Sequence, residues 1–317
     1  MFINLFLQRI FLGEEIFMIS KKIRSIIDLI RPFTLLAPLI VSICIIIASF
    51  VYNEQSNLQS VFISLIIPAS LSLALLNGAS NSLNQITDIK SDKISKPYRP
   101  LVRGDLKTSE AMFITFSLYL ISIILSLLIN FVFCIFVLSI TFFTVTYSLP
   151  PRLKDKLFLN QLWVGIPRGF LGILASWSVF GTVIHPLPIT IGIIAMVYLI
   201  GGSITKDITD CIADKKTGTK TLINSFGIKN AAIMALPFMI FPFTFIPILI
   251  DIGLIDSNYL LLSLLAIPSF FVFYLMIRDN KKGRRLENTS SWALMYGTYF
   301  LLAFGFSVIT IAGQVIA

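Results

Sequence analysis

Residues 81–101 read NSLNQITDIKSDKISKPYRPL, and residues 206–222 read KDITDCIADKKTGTKTL. Each stretch closes a long apolar run with polar oxygens at helical spacing: Asn84, Asp88 and Asp92 in the first, Asp207, Asp210 and Asp214 in the second. At about 100° per residue, the first set fans over only about 80° and the second over about 60°, so each is expected to form one acidic helix face. Like charges one turn apart repel, and a divalent cation held between them is the economical reason to carry them. Lysines, arginines and a Gly/Thr/Lys loop crowd the same stretches. Carboxylates for Mg2+ beside cations for phosphate oxygens describe a site for a substrate diphosphate.

The runs that lead into these motifs set the fold class. Hydrophobic residues make up 56% of the 317 and charged residues 13%, and runs of about 20 apolar residues recur along the chain. A soluble domain of this size would not tolerate them, so the chain reads as an all-α, polytopic membrane protein. Nine spans are expected around a central cavity, at about 33–52, 61–83, 110–130, 132–148, 161–183, 187–205, 230–250, 259–278 and 292–314.

Charge placement supports that count independently. The 25 lysines and arginines fall in the segment ending at Arg31, in 84–110, 149–160, 206–229 and 278–285, with Arg168 alone inside a span. The alternate loops hold Glu54, Asp251 and Asp256 and no cation. The positive-inside rule therefore places the N-terminus and both motifs on the cytoplasmic side of a cell membrane. A basic face beside anionic lipid headgroups accounts for the net charge of +9 and the pI near 9.5 without a nucleic-acid partner.

Cys44, Cys134 and Cys211 are scattered and are expected as free thiols. Residues 1–17 have an apolar start and the acidic pair Glu14 and Glu15, without a small-residue cleavage site. They read either as an interfacial amphipathic extension or as a segment ahead of the true start at Met18, and residues 18–317 read as one domain. The four-span spacing between the motifs suggests two halves that face each other across a shared cavity.

With its NxxxDxxxD pattern at Asn84, Asp88 and Asp92, the trailing Lys96-Pro97-Tyr98-Arg99-Pro100-Leu101, and the second pattern from Lys206 to Leu222, the chain resembles the UbiA superfamily of intramembrane prenyltransferases. Tyr147-Ser148, Pro150-Pro151 and Leu153-Lys154 are similar to the loop after the family's fourth span. The resemblance implies transfer of a prenyl group from an isoprenoid diphosphate to a lipid-soluble acceptor, with Mg2+ at each motif. Asp88, Asp92, Asp210 and Asp214 are then the catalytic carboxylates, with Asn84 and Asp207 completing the metal ligands. Arg99, Arg103, Tyr147, Lys154 and Lys220 are candidates for binding the diphosphate. Individually, ordinary positive-inside charge explains each of these cations as well.

Arg168 is costly two turns into a span unless it faces a polar cavity or an anion, the alternative being that it snorkels to the cytoplasmic edge. The extended second motif resembles the branch of the family that contains the enzymes of archaeal ether-lipid synthesis and chlorophyll synthesis, although Ala213 stands where many of those have glycine. The expected donor is a geranylgeranyl diphosphate and the expected acceptor geranylgeranylglyceryl phosphate, whose anion would meet Arg168. An aromatic or quinone precursor and a chlorophyll-type alcohol are the alternatives within the family. An ion-coupled transporter is the alternative outside it, disfavoured because the aspartates lie at span ends and not near the midplane.

Overall fold

The computed structural model describes residues 21–278 and 289–316, so the expectation for residues 1–17 lies outside the described part. Residues 21–30 are helical (α1) and run into Pro32–Tyr52 (α2) through Arg31, whose backbone is left-handed at φ 61. Pro32 explains the break. It has no N–H for the carbonyl four residues back, and its fixed φ suits the first position of a new helix.

The chain continues through Leu58–Thr87 (α3), the short Ile89–Ser95 (α4), Thr108–Ile129 (α5) and Phe131–Ser148 (α6). A single residue, Asn130, separates α5 from α6. Its extended backbone turns the chain while its side chain accepts from the Phe133 N–H at 2.8 Å and donates to the Ser178 carbonyl at 2.8 Å. Residues 159–177 (α7) come next, then Pro186–Thr217 (α8), Leu222–Asp251 (α9), Ser257–Arg278 (α10) and Ser290–Ile316 (α11). Among the described residues there is no strand.

Neighbour follows neighbour around a closed ring: α2 packs on α3, α3 on α5, and so on in chain order until α11 returns to α2. The core lies between these helices, with Trp177, Tyr198, Phe133, Phe243 and Phe306 fully buried. Facing outward are Ile63, Phe113, Phe116, Leu128 and Phe131, all strongly exposed. An apolar girdle on that scale belongs against lipid tails, which makes the chain a multi-pass membrane protein.

Eight helices among the described residues are long and apolar enough to cross a bilayer. The remaining expected span corresponds to α7, which starts close to its expected position and ends at Trp177, six residues before the expected 183. Its helix widens into a π segment at Ile166–Leu171, around Pro167 and Arg168. Gly165 and Gly169 press α7 against α8, and a Cβ on Gly169 would stand 2.4 Å from the Met196 backbone nitrogen. Polar Asn160, Gln161 and Arg168 keep α7 less apolar than its neighbours, and all three have work inside the ring.

Candidate active site

The first motif does not stay on one helix face. α3 ends at Thr87, Asp88 takes φ −107 and ψ 14 as its cap, and α4 restarts at Ile89. Asn84 and Asp88 point into a cavity of about 1060 Å3. Asp92 instead lies behind its wall, 3% exposed, and accepts from the Arg99 guanidinium, itself 4% exposed. This corrects the single-face expectation for the first motif. The helix break at Asp88 redirects the chain beyond it, and Arg99 is the wall residue in place of Asp92. Burial pushes the Asp92 carboxyl up, against the pull of Arg99 and Lys96.

The second motif keeps its geometry. A 3-10 turn at Ser203–Lys206 carries α8 into Asp207–Thr217, a continuous helix whose Asp207, Asp210 and Asp214 all line the same cavity. Gly218, at φ 81, ends that helix in the left-handed conformation that glycine adopts without strain. Thr221 then caps α9, accepting from the Asn224 N–H at 3.3 Å. The two motifs meet through Lys96, whose ammonium donates to both carboxylate oxygens of Asp210 at 2.5 and 2.6 Å.

The loop after α6 supplies the third side. Lys154 donates to Asn84 Oδ1 at 2.7 Å and Asp88 Oδ1 at 2.5 Å, and Arg152 reaches the same Asp88 oxygen at 3.2 Å. Lys154 is 7% exposed, and burial pushes its ammonium below the ordinary lysine range while Asp88 draws it back up. Lys206 donates to the Tyr147 hydroxyl at 2.8 Å and to Asn160 Oδ1 at 2.7 Å, and pairs with Asp207 at 3.2 Å. Asn160 and Gln161 of α7 both donate to Asp207 Oδ2.

Below this polar mouth lies a second, mostly apolar chamber of about 180 Å3 among α2, α3, α6, α7, α8 and α11. Arg31, Asn81, Asn84, Tyr147, Arg168 and Lys206 border both spaces, so the two are one continuous cavity. Arg168 does not snorkel. Its guanidinium donates to the Tyr296 hydroxyl at 2.5 Å and to Asn77 Oδ1 at 3.2 Å, while its carbonyl accepts from Tyr299 at 2.8 Å.

A family model described as the UbiA prenyltransferase family matches residues 35–297, most of the chain and both acidic motifs. The chain belongs to the UbiA prenyltransferase family. It is 28% identical over 261 residues to the digeranylgeranylglyceryl phosphate synthase of Methanosphaera stadtmanae, covering 81% of this chain and 89% of that one. To the synthase of the same name from Methanobrevibacter smithii it is 25% identical over 288 residues, covering 90% and 98%. The structure of a UbiA homolog from Archaeoglobus fulgidus bound to DMAPP and Mg2+ superposes with a TM-score of 0.70 at 20% identity, covering 91% of this chain and 99% of that one. The shared fold extends over nearly the whole ring.

As a UbiA-family prenyltransferase the chain departs from the expected site at two cations. Arg103 stands off the cavity, bound to Asp105 at 2.6 Å and to Asp28 at 3.4 Å. Lys220 is also absent from the wall, and the loop there presents Thr219 and Thr221 instead. Lys96, Arg152, Lys206, Asn160 and Gln161 join the site without having been expected in it. Lys206 adjoins Asp207 and could have been read from the motif. Asn160 and Gln161 carry no signal beyond two amides at the start of a span.

The donor set fits a hard cation. Asp88, Asp207, Asp210 and Asp214 offer carboxylate oxygens to one space, with the amide of Asn84 beside Asp88, and among the described residues no hydrogen bond or ion pair reaches the Asp214 carboxylate. No three acidic, cysteine or histidine groups among the described residues converge as a ready cage. Mg2+ does not need one, since it keeps several waters and is held by one or two carboxylates together with substrate phosphates.

Proposed function

We propose that this prenyltransferase moves a geranylgeranyl group from its diphosphate to the free hydroxyl of geranylgeranylglyceryl phosphate, with Mg2+ as cofactor, in ether-lipid synthesis of the archaeal type. The observation that carries this reading is a mouth of mixed carboxylates and cations opening directly into an apolar chamber lined by Arg31, Arg168 and Lys206 and, among the described residues, by no carboxylate. The mouth suits a metal-bound diphosphate, the chamber suits hydrocarbon, and the cations suit an acceptor with an anionic head. The names of the Methanosphaera and Methanobrevibacter relatives favour the same acceptor.

In this account Asn84 and Asp88 hold one cation and Asp207, Asp210 and Asp214 the other, and Asp92 contributes by setting the position of Arg99. Bound Mg2+ would offset the negative charge that grows on the diphosphate as the allylic C–O bond breaks. Lys96, Arg99, Lys154 and Lys206 exchange their carboxylate partners for phosphate oxygens, and Tyr147 donates from the chamber side. The apolar chamber keeps water from the allylic carbon, so that the acceptor hydroxyl oxygen forms the new ether bond there while its proton leaves with the departing diphosphate.

Residues 18–317 act as one catalytic domain with nine spans, α7 among them: at about 1.5 Å per residue it reaches about 28 Å, close to the hydrocarbon thickness. The N-terminus and both motifs lie on the cytoplasmic side of the cell membrane. Engineered cysteines at Lys93 and Lys216 should label from the cytoplasm and those at Ser56 and Ser257 from outside, and labelling of the two motifs from opposite sides would break the arrangement. The activity is tested with purified protein, Mg2+, geranylgeranyl diphosphate and an acceptor panel read by product mass. Product with the prenylglyceryl phosphate supports the proposal, and product only with hydroxybenzoate or naphthoate would replace the acceptor.

A further inference from the structure

The first turn of α7 follows a strained residue. Phe158 takes φ 66 and ψ −38, a backbone conformation that a bulky residue avoids, and its side chain is half exposed, so its own packing does not explain the turn. The turn carries Asn160 and Gln161 inward, where they are 2% and 3% exposed. Both amides donate to Asp207 Oδ2, at 3.2 and 3.3 Å.

Asn160 is engaged at both ends of its amide. Its Nδ2 holds Asp207, while its Oδ1 accepts from the Tyr147 hydroxyl at 3.1 Å and from the Lys206 ammonium at 2.7 Å. Lys206 also donates to the Tyr147 hydroxyl at 2.8 Å and pairs with Asp207 Oδ1 at 3.2 Å. The ammonium thus meets a phenol, an amide and a carboxylate oxygen, one for each of its three N–H donors. A reversed amide would turn Nδ2 toward the ammonium and Oδ1 toward the carboxylate, so these contacts fix one orientation. Lys206 and Tyr147 border both the mouth and the chamber. That boundary is where a diphosphate in the mouth joins a hydrocarbon in the chamber, and so where the allylic C–O bond lies.

We propose that Asn160 is a positioning residue for cleavage of that bond: anchored on Asp207, it holds Lys206 and Tyr147 against the leaving oxygen of the diphosphate and acts through them. This rests on the prenyltransferase reading above and not on the choice of acceptor. When the C–O bond breaks, its electron pair stays on the diphosphate oxygen, and Lys206 exchanges Asp207 for that oxygen while Asn160 and Tyr147 keep the ammonium in place. The ester oxygen of the intact donor carries little charge and the departing oxygen carries much, so the contact that Asn160 secures strengthens as the bond breaks. Loss of Asn160 therefore falls on kcat and not on donor binding.

The test compares the purified full chain with Asn160→Ala, Asn160→Asp, Lys206→Met and the double variant of Asn160→Ala with Lys206→Met, all with Mg2+. Asn160→Ala should lower kcat about 10- to 100-fold, as expected for a misplaced charge-assisted contact, with Kd for geranylgeranyl diphosphate nearly unchanged. The double variant should lose no more than Lys206→Met alone, because residues that act as a unit are not additive. Asn160→Asp matches asparagine in size and keeps the oxygen for Lys206 and Tyr147 but loses the anchor on Asp207, so its kcat should fall between wild type and Asn160→Ala. A donor Kd that rises as much as kcat falls, or losses that multiply in the double variant, would overturn the role. Retained Mg2+-dependent binding of geranylgeranyl diphosphate shows that a variant is folded. Should the alanine variant fail that check, Asn160→Asp decides, and a wild-type kcat there would overturn the anchored arrangement.

A second arm needs no turnover. Inorganic diphosphate carries on its free oxygen the charge that the prenyl ester lacks, so its Mg2+-dependent binding should weaken about tenfold or more in Asn160→Ala while binding of geranylgeranyl diphosphate barely changes. If that holds while no prenylglyceryl phosphate is turned over, the role of Asn160 stands and the proposed acceptor falls. Equal binding of inorganic diphosphate by wild type and Asn160→Ala would remove the role itself.

Discussion

The two acidic motifs have nearly the same spacing in sequence and different fates in the fold. In the second, one helix carries Asp207, Asp210 and Asp214 to the cavity wall together. In the first, the helix breaks at Asp88, and the last carboxylate turns inward to a buried pair with Arg99. A spacing argument treats the motifs as equivalent, whereas the fold makes one a row of oxygens and the other a mixed surface of Asn84, Asp88, Lys96 and Arg99. The second motif therefore offers more carboxylates to the cavity, and the first mixes carboxylate and amide with cationic charge.

The largest expected effect comes from that division. Asp210→Ala should lower turnover by about three orders of magnitude or more, comparable to losing a principal electrostatic element of a site. It should leave folding intact, because its partner Lys96 can return toward solvent at the mouth. Activity within tenfold of wild type would remove the second motif from the chemistry.

The buried pair of the first motif predicts a different signature. Asp92→Ala strands the Arg99 guanidinium away from water and should destabilise the protein by about 3–5 kcal/mol, read as a lowered melting temperature in detergent. Replacing both, as Asp92→Leu with Arg99→Met, should restore most of the stability, because an apolar pair of similar volume removes the desolvation penalty. Activity should stay low in the double variant, since Arg99 is then missing from the wall. Recovery of both stability and activity would assign the pair a purely structural role.

A smaller effect is expected at the link between the motifs. Lys96→Met removes the cation that holds Asp210 and should raise the donor KM about tenfold, with little change in stability, as for a single charged contact at a partly open site. An unchanged donor KM would mean that Lys96 only neutralises Asp210.

Much of this architecture is readable in the chain. Long apolar runs mark the spans because a bilayer leaves few other ways to satisfy the backbone, and the motifs mark the mouth because carboxylates at span ends are costly without a purpose. Asn84, Asp88, Asp207, Asp210 and Asp214, together with Arg99, Tyr147, Lys154 and Arg168, do converge on one cavity. Arg103 and Lys220 illustrate the limit. Positive-inside charge places every cation of a loop on the same side, and only the fold shows that Arg103 is spent on Asp28 and Asp105. The inward turn of Asp92 is hidden in the sequence because it depends on a one-residue break in the helix.

The central claim is that the two motifs bind one diphosphate jointly through divalent cations. Equilibrium binding of geranylgeranyl diphosphate to the purified protein, titrated with Mg2+ and then with chelator, tests it most directly. The account predicts tight binding that appears with Mg2+, is lost on chelation, and is abolished by Asp88→Ala and by Asp210→Ala alike. Binding of equal strength in chelator, or binding that survives removal of either aspartate, would contradict it.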